Sequence, residues 1–456
     1  MADRPVGRYN IFHEWLEKYD RRIRKITENP DPSLMKSNLL LYQVLRDDAQ
    51  RGTDFFESGS EVPVIYHTEN APDRFFKAIG FEPINLELNA DHLDRNQCER
   101  YFMLGRSYGF PDNLCDRVQL AHAVGISGDF PPPDVVFAVV GDCDLMSQAM
   151  ASVARYWDVP LIGVDMGFQE EVEMGRAEYY RAMQFALDQM KEVIEFCESQ
   201  WPDYIKYDDS KLEMYQIINR EFTLSAEKAF QLISKARPCP ISGRDALRMA
   251  PTHIPDDSRV ADYMNMYLDE ITGKVERRES PLRDNTEKMR LYWMTSAPFF
   301  EDPFKFLEER GISSPLYEEG MGVPMRYNVR DYEEAERRFG RRMADPLEEE
   351  AALFATHHWG ATGNRRILEV LHRCRDAGID GLVHFELEGC LALNNIARIT
   401  GERAEKELGV KSFYAVDVHC QDMERFNESE FEESIWNWAQ VCLAEKEGKE
   451  KGLSVC

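Results

Sequence analysis

The chain has 456 residues, 43% of them hydrophobic, and a formal net charge of -27. A single core rarely outgrows about 250 to 300 residues, so this length calls for two or three domains. The acidic balance argues against a nucleic-acid partner, because phosphate backbones need a basic surface; a local basic pocket for an anionic substrate remains compatible with it. No stretch reaches the roughly 18 to 20 apolar residues that span a bilayer. The opening MADRPVGRYNIFHEW lacks the basic-then-apolar pattern of a signal peptide, and a cytoplasmic protein without membrane contact is expected.

In chain order, residues 1–60 read as helical and charged, with a break at ENPDPS. VPVIYHT (63–68 at its core) reads as a strand, followed by a helix from Pro72 to Ile79. After the loop around GFPDNLC come a strand at Val135–Val140, a helix at Leu145–Tyr156 and the strand PLIGVDM. Strands separated by helices imply βαβ units and a parallel sheet. Residues 175–285 read as a helical connector, with an apolar stripe of Tyr179, Met183, Phe185, Leu187, Met190, Val193, Ile194 and Phe196. A second alternating region begins at LYWMTSAPF (291–299) and continues through GLVHFELEGC, a helix at 393–408 and SFYAVDV. The expected organisation is therefore an N-terminal helical segment (1–60), a first α/β lobe (61–174), the connector (175–285) and a second α/β lobe (286–456).

The two α/β regions look like copies of one another. PDVVFAVVGDCDLMSQAMASVARYWDVPLIGVDM and IDGLVHFELEGCLALNNIARITGERAEKELGVKSFYAVDV each run from an Asp through a β-rich stretch to a Cys. Each continues with a helix and ends in an apolar strand with a closing Asp, 22 residues after Cys143 and 27 after Cys390. Open α/β sheets bind ligands at the carboxyl ends of their strands, so a thiol at that edge is a candidate ligand. Two lobes of this kind, flavodoxin-like and doubly wound, can face each other across a cleft with Cys143 and Cys390 on opposite lips. A third thiol, Cys115, follows a Pro-Asp-Asn turn ahead of a helix pattern. The ten cysteines contain no CxxC, so zinc-ribbon and ferredoxin-type signatures are missing and a metal site has to gather distant ligands.

The segments GFPDNLC (109–115), GDCD (141–144) with VPLIGVD (159–165), PISGRD (240–245) and DGLVHFELEGC (380–390) together resemble the superfamily of 2-hydroxyacyl-CoA dehydratase and benzoyl-CoA reductase cluster subunits, over roughly residues 60–440. The resemblance implies that Cys115, Cys143 and Cys390 hold one [4Fe-4S] cluster whose fourth iron is left to water, hydroxide or a substrate oxygen. Thiolates suit such clusters, and three protein ligands leave one position open for chemistry. It further implies a homologous second subunit and a separate ATP-hydrolysing iron–sulfur activator. An acyl-CoA thioester would accept the electron as a ketyl radical anion. Dehydration of an (R)-2-hydroxyacyl-CoA is the leading reaction, with benzoyl-CoA reduction as the alternative and a non-catalytic electron-relay or scaffold role as a second. The absence of G-x-x-x-x-G-K-[ST] and of a strand-linked G-x-G-x-x-G agrees with ATP being handled elsewhere.

Other candidates are local. In HHWGATGNRR (357–366), His357 and His358 are candidate proton donors, and Arg365 and Arg366 can meet a phosphate of coenzyme A. The plainer alternative for this loop is a turn capping a helix with Asn364. Glu388, two residues before Cys390, is a candidate acid or base, and Arg244 a candidate carboxylate holder. His122 and His384 are expected in packing, and Cys239 and Cys420 as packing thiols or neighbours of the ligands.

Overall fold

The computed structural model describes residues 9–28, 35–167, 176–247, 254–318, 345–355 and 363–450. Four strands form the first sheet: β1 (Val64–His67), β2 (Glu82–Asn85), β3 (Val135–Val140) and β4 (Leu161–Asp165). They are parallel and ordered β2-β1-β3-β4. The second sheet holds β5 (Met289–Thr295), β6 (Ile312–Tyr317), β7 (Gly381–Leu387) and β8 (Lys411–Val418), parallel and ordered β6-β5-β7-β8. With β5 to β8 counted as a second β1 to β4, the two orders coincide. Each lobe is a flavodoxin-like doubly wound sheet, and the sequence repeat is a repeat of topology.

The opening Asp of each copy has the same structural task. Asp134, just ahead of β3, accepts the Val64 N–H on Oδ2 at 2.8 Å and donates its own N–H to the Val64 carbonyl at 2.9 Å. Asp380, just ahead of β7, does the same with Arg290, both contacts at 2.9 Å. In each sheet this pair of bonds pins the third strand to the start of the first. Alternation within the first sheet then divides its side chains between two cores. Tyr66, Val136 and Ala138 join the large cluster shared with the N-terminal helices and the second lobe. Ile65, Val135, Phe137 and Val139 join a smaller cluster on the other face. Helices cover the second sheet, and β5 and β7 are buried along their whole length, as buried parallel strands are.

β3 has the bounds expected of it, and the helix after it, Asp144–Trp157, is one residue longer at each end. The helix after Cys390 begins at Leu391, two residues early. β2 and β6 were not anticipated. Both are edge strands that contain a proline, Pro83 and Pro315, and the β5–β6 register slips beside Pro315. An edge is where a strand tolerates the missing N–H. The connector is helical, including Arg176–Gln200, Asp209–Lys235 and Arg259–Arg277. Of its stripe, Met183, Leu187, Met190 and Val193 are buried in the smaller core, whereas Phe185 is 47% exposed. The helix Pro346–Ala355, between β6 and β7 in the chain, packs into the first lobe's smaller core and pairs Glu350 with Arg74 at 3.0 Å. Among the described residues no helix is long and apolar enough to cross a membrane.

Replacing Asp134 or Asp380 by Ala leaves a ladder amide without its acceptor and is expected to cost about 1–3 kcal/mol at either site. The sites lie in different sheets, so the two costs should add within about 0.5 kcal/mol in urea unfolding of the double variant.

Candidate functional site

Each of the three cysteines immediately precedes a helix. Cys115 leads into Asp116–Ser127, Cys143 into Asp144–Trp157 and Cys390 into Leu391–Leu408. The first turns of these helices carry unsatisfied N–H groups and the positive end of the helix dipole, which favour an anion such as a thiolate. Cys143 follows β3 and Cys390 follows β7, equivalent third strands at the place where the winding direction of each sheet reverses.

A glycine turn brings the lobes together. Gly389 has φ +70°, and a Cβ there would stand 2.9 Å from the Asn113 carbonyl oxygen, 2.9 Å from Leu114 Cα and 3.2 Å from the Cys115 nitrogen. The loop leaving β7 therefore lies directly on the loop that carries Cys115. Across this contact the Cys115 and Cys390 thiols hydrogen-bond one another. That bond lowers the Cys390 pKa to about 7 against the effect of burial, helped by the Leu393 and Ala392 amides and the charge of Arg366. The same bond, with burial, raises Cys115. Cys143, within electrostatic reach of Cys390, is pushed up to about 12 by burial, against a downward pull from the Met146 amide. Of the three, Cys390 is the thiol whose anion the surroundings favour most.

This donor set fits an iron–sulfur cluster. Three thiols with helix amides and a buried guanidinium close by are soft, anionic ligands with neighbours that favour negative sulfur. Among the described residues, no three or more His, Cys, Asp and Glu side chains close around a single ion. A cubane instead takes each thiolate on a different iron.

Charged residues surround the thiols in engaged form. Asp142 accepts the Asn70 Nδ2–H at 2.7 Å, and burial raises its pKa to about 6. Arg117 binds Glu69 at 2.9 Å, Glu87 at 3.1 Å and Asp91 at 3.4 Å. Arg366 donates to the Ala392 carbonyl at 2.7 Å and lies 3.6 Å from Glu318, which accepts the Thr295 N–H at the end of β5.

The anticipated residues fall as follows. Arg365 and Arg366 start the helix Gly363–Ala377 and are only 2% and 6% exposed. Both side chains are buried, and the charge of Arg366 acts on Cys390. His357 and His358 lie outside the described residues. Glu388 reaches the site's edge already ion-paired: Oε2 is 2.5 Å from Arg425 Nη2 and 3.5 Å from His419 Nε2. Arg244 donates to the Pro298 carbonyl at 3.1 Å and sits over the Phe304 ring. His122 stacks on Phe110 and His384 on Tyr414, and burial lowers them to about 4 and 3 respectively. Cys239 donates to the Ile241 carbonyl at 3.3 Å, while Cys420 is buried near enough to act on Cys115 electrostatically.

Asp116 was missed. It is 2% exposed, and its Oδ2 accepts the backbone N–H of Cys420 at 2.8 Å, Gln421 at 3.0 Å and Asp422 at 3.2 Å, with His419 Nδ1 2.8 Å from Oδ1. Its partners lie 303 to 306 residues along the chain, and nothing local signals them.

The fold and the helix-start thiols define an α/β protein of two flavodoxin-like lobes. The chain belongs to the family described as 2-hydroxyglutaryl-CoA dehydratase, D-component, whose model matches residues 69–426 and so spans all three cysteines. It is also 25% identical to the (R)-phenyllactyl-CoA dehydratase alpha subunit of Clostridium sporogenes over 370 residues, covering 78% of this chain and 82% of that one.

Gly389→Ala combines a left-handed φ with contacts to backbone that cannot yield. It is expected to cost about 1–3 kcal/mol and to raise the rate at which iodoacetamide labels Cys115 in iron-free protein, read by peptide mass spectrometry.

Proposed function

We propose that this chain is the cluster-bearing subunit of an (R)-2-hydroxyacyl-CoA dehydratase, with one [4Fe-4S] cluster on Cys115, Cys143 and Cys390 and the fourth iron open to substrate. The observation that carries the reading is the gathering of three thiols at helix N-cap positions, two of them at equivalent strand ends of a repeated fold, where the lobes meet. When bound, such a cluster supplies an electron for the thioester and an iron that can contact a substrate oxygen.

The protein's own part is to shape and hold the site. Arg366 and the Ala392 and Leu393 amides stabilise negative sulfur at Cys390. Arg425 holds the Glu388 carboxylate, so in this arrangement Glu388 ties the site's rim and is less suited to moving a proton than its sequence position suggests. The matching family and the relative are both described as dehydratases, which favours dehydration over reduction of an aryl thioester. That the relative is an alpha subunit favours a second subunit here as well. We further propose a separate ATP-hydrolysing iron–sulfur activator as electron source and an acyl-CoA thioester as substrate.

The test is spectroscopic. Protein prepared without oxygen and reduced by one electron is expected to change its EPR spectrum when an (R)-2-hydroxyacyl-CoA is added, and to keep it when coenzyme A alone is added. An unchanged spectrum across a series of 2-hydroxyacyl thioesters would overturn the open iron position.

A further inference from the structure

Resting on the cluster reading above, we infer that Asp116 is a positioning residue that sets the approach of Cys115 to Cys390 by clamping the 419–422 loop of the second lobe against the first. The carboxylate belongs to the first lobe and every donor to the second. Three successive amides, those of Cys420, Gln421 and Asp422, converge on Oδ2, while His419 Nδ1 meets Oδ1. Consecutive N–H groups on one oxygen form an anion-binding nest, and such charge-assisted bonds are roughly twice as strong as neutral ones. A carboxylate this deeply buried is tolerable only because its donors offset the loss of water. Opening the lobes would strand the charge and the amides together.

The clamp reaches both thiols through short covalent and hydrogen-bonded paths. Asp116 follows Cys115 directly in the chain. On the other side, the Cys420 carbonyl accepts the Phe299 N–H at 2.8 Å and the Val418 carbonyl accepts the Glu388 N–H at 3.0 Å, two residues before Cys390. Loop 419–422 is thereby tied to the exits of β5 and β7, and any shift of it moves the Cys390 turn. Asp116 acts on the site without supplying a ligand.

The experiment reads the thiol separation directly. In iron-free, fully reduced protein, diamide oxidises Cys115 and Cys390 to a disulfide and takes up their two hydrogens to become the hydrazine; mass spectrometry follows the cross-linked peptide. Asp116→Asn removes the charge and replaces one of the two acceptor oxygens by an N–H donor, and is expected to slow the cross-link at least about tenfold, since displacements near 1 Å weigh heavily on reactions between positioned groups. Its circular dichroism should stay that of the wild type. His419→Ala removes one contact of the clamp and should slow the reaction less. In cluster-loaded protein, Asp116→Asn should also shift the EPR spectrum. Wild-type rates in both variants would overturn the inference, and if Asp116→Asn does not fold, an unchanged rate in His419→Ala overturns it alone. Wild-type protein without iron but with an Asp116-dependent cross-link would instead sink the cluster reading and leave the clamp standing.

Discussion

The close approach of the β7 exit to the backbone ahead of Cys115, possible only because residue 389 has no Cβ, is the contact on which the site depends. A parallel strand hands its chain to a helix at its carboxyl end, so each lobe alone would present one thiol at a helix N-terminus. The interlobe contact turns separate thiols into a group. It also explains why Cys115, which leaves no strand, belongs with the others: its helix start is the surface on which the second lobe rests.

Charge shapes the site in a chain that is strongly acidic overall. The cations close to it, Arg117, Arg366 and Arg425, are matched to carboxylates or carbonyls and held in place. Arg366 is the one whose charge acts on the Cys390 thiol, and it does so from inside the protein. A buried guanidinium beside a thiolate is less screened than a surface one. It therefore suits stabilising negative sulfur at Cys390.

Much of the fold was legible because it is periodic. The β3 run, its helix and their later copy carry hydrophobic patterns long enough to read, and the repeated Asp ahead of the third strand signalled a real staple at Asp134 and Asp380. The edge strands were not legible: β2 is four residues with a proline, and β6 breaks its pattern with Ser313, Ser314 and Pro315. At the site, the three thiols stood out by local context and family likeness. What the sequence could not show were relations across hundreds of residues, namely the Asp116 clamp and the Arg425 hold on Glu388. Those arise only when the lobes meet, and short-range patterns carry no trace of them.

The most direct test of the central claim is iron and acid-labile sulfide content in protein purified without oxygen, compared among wild type, Cys115→Ala, Cys143→Ala and Cys390→Ala. The account predicts about four irons and about four sulfides per wild-type chain, as one cubane requires, and loss of most of both in every variant while the fold persists. Folded wild-type protein without iron, or a full complement of iron in any one of the three variants, would contradict it.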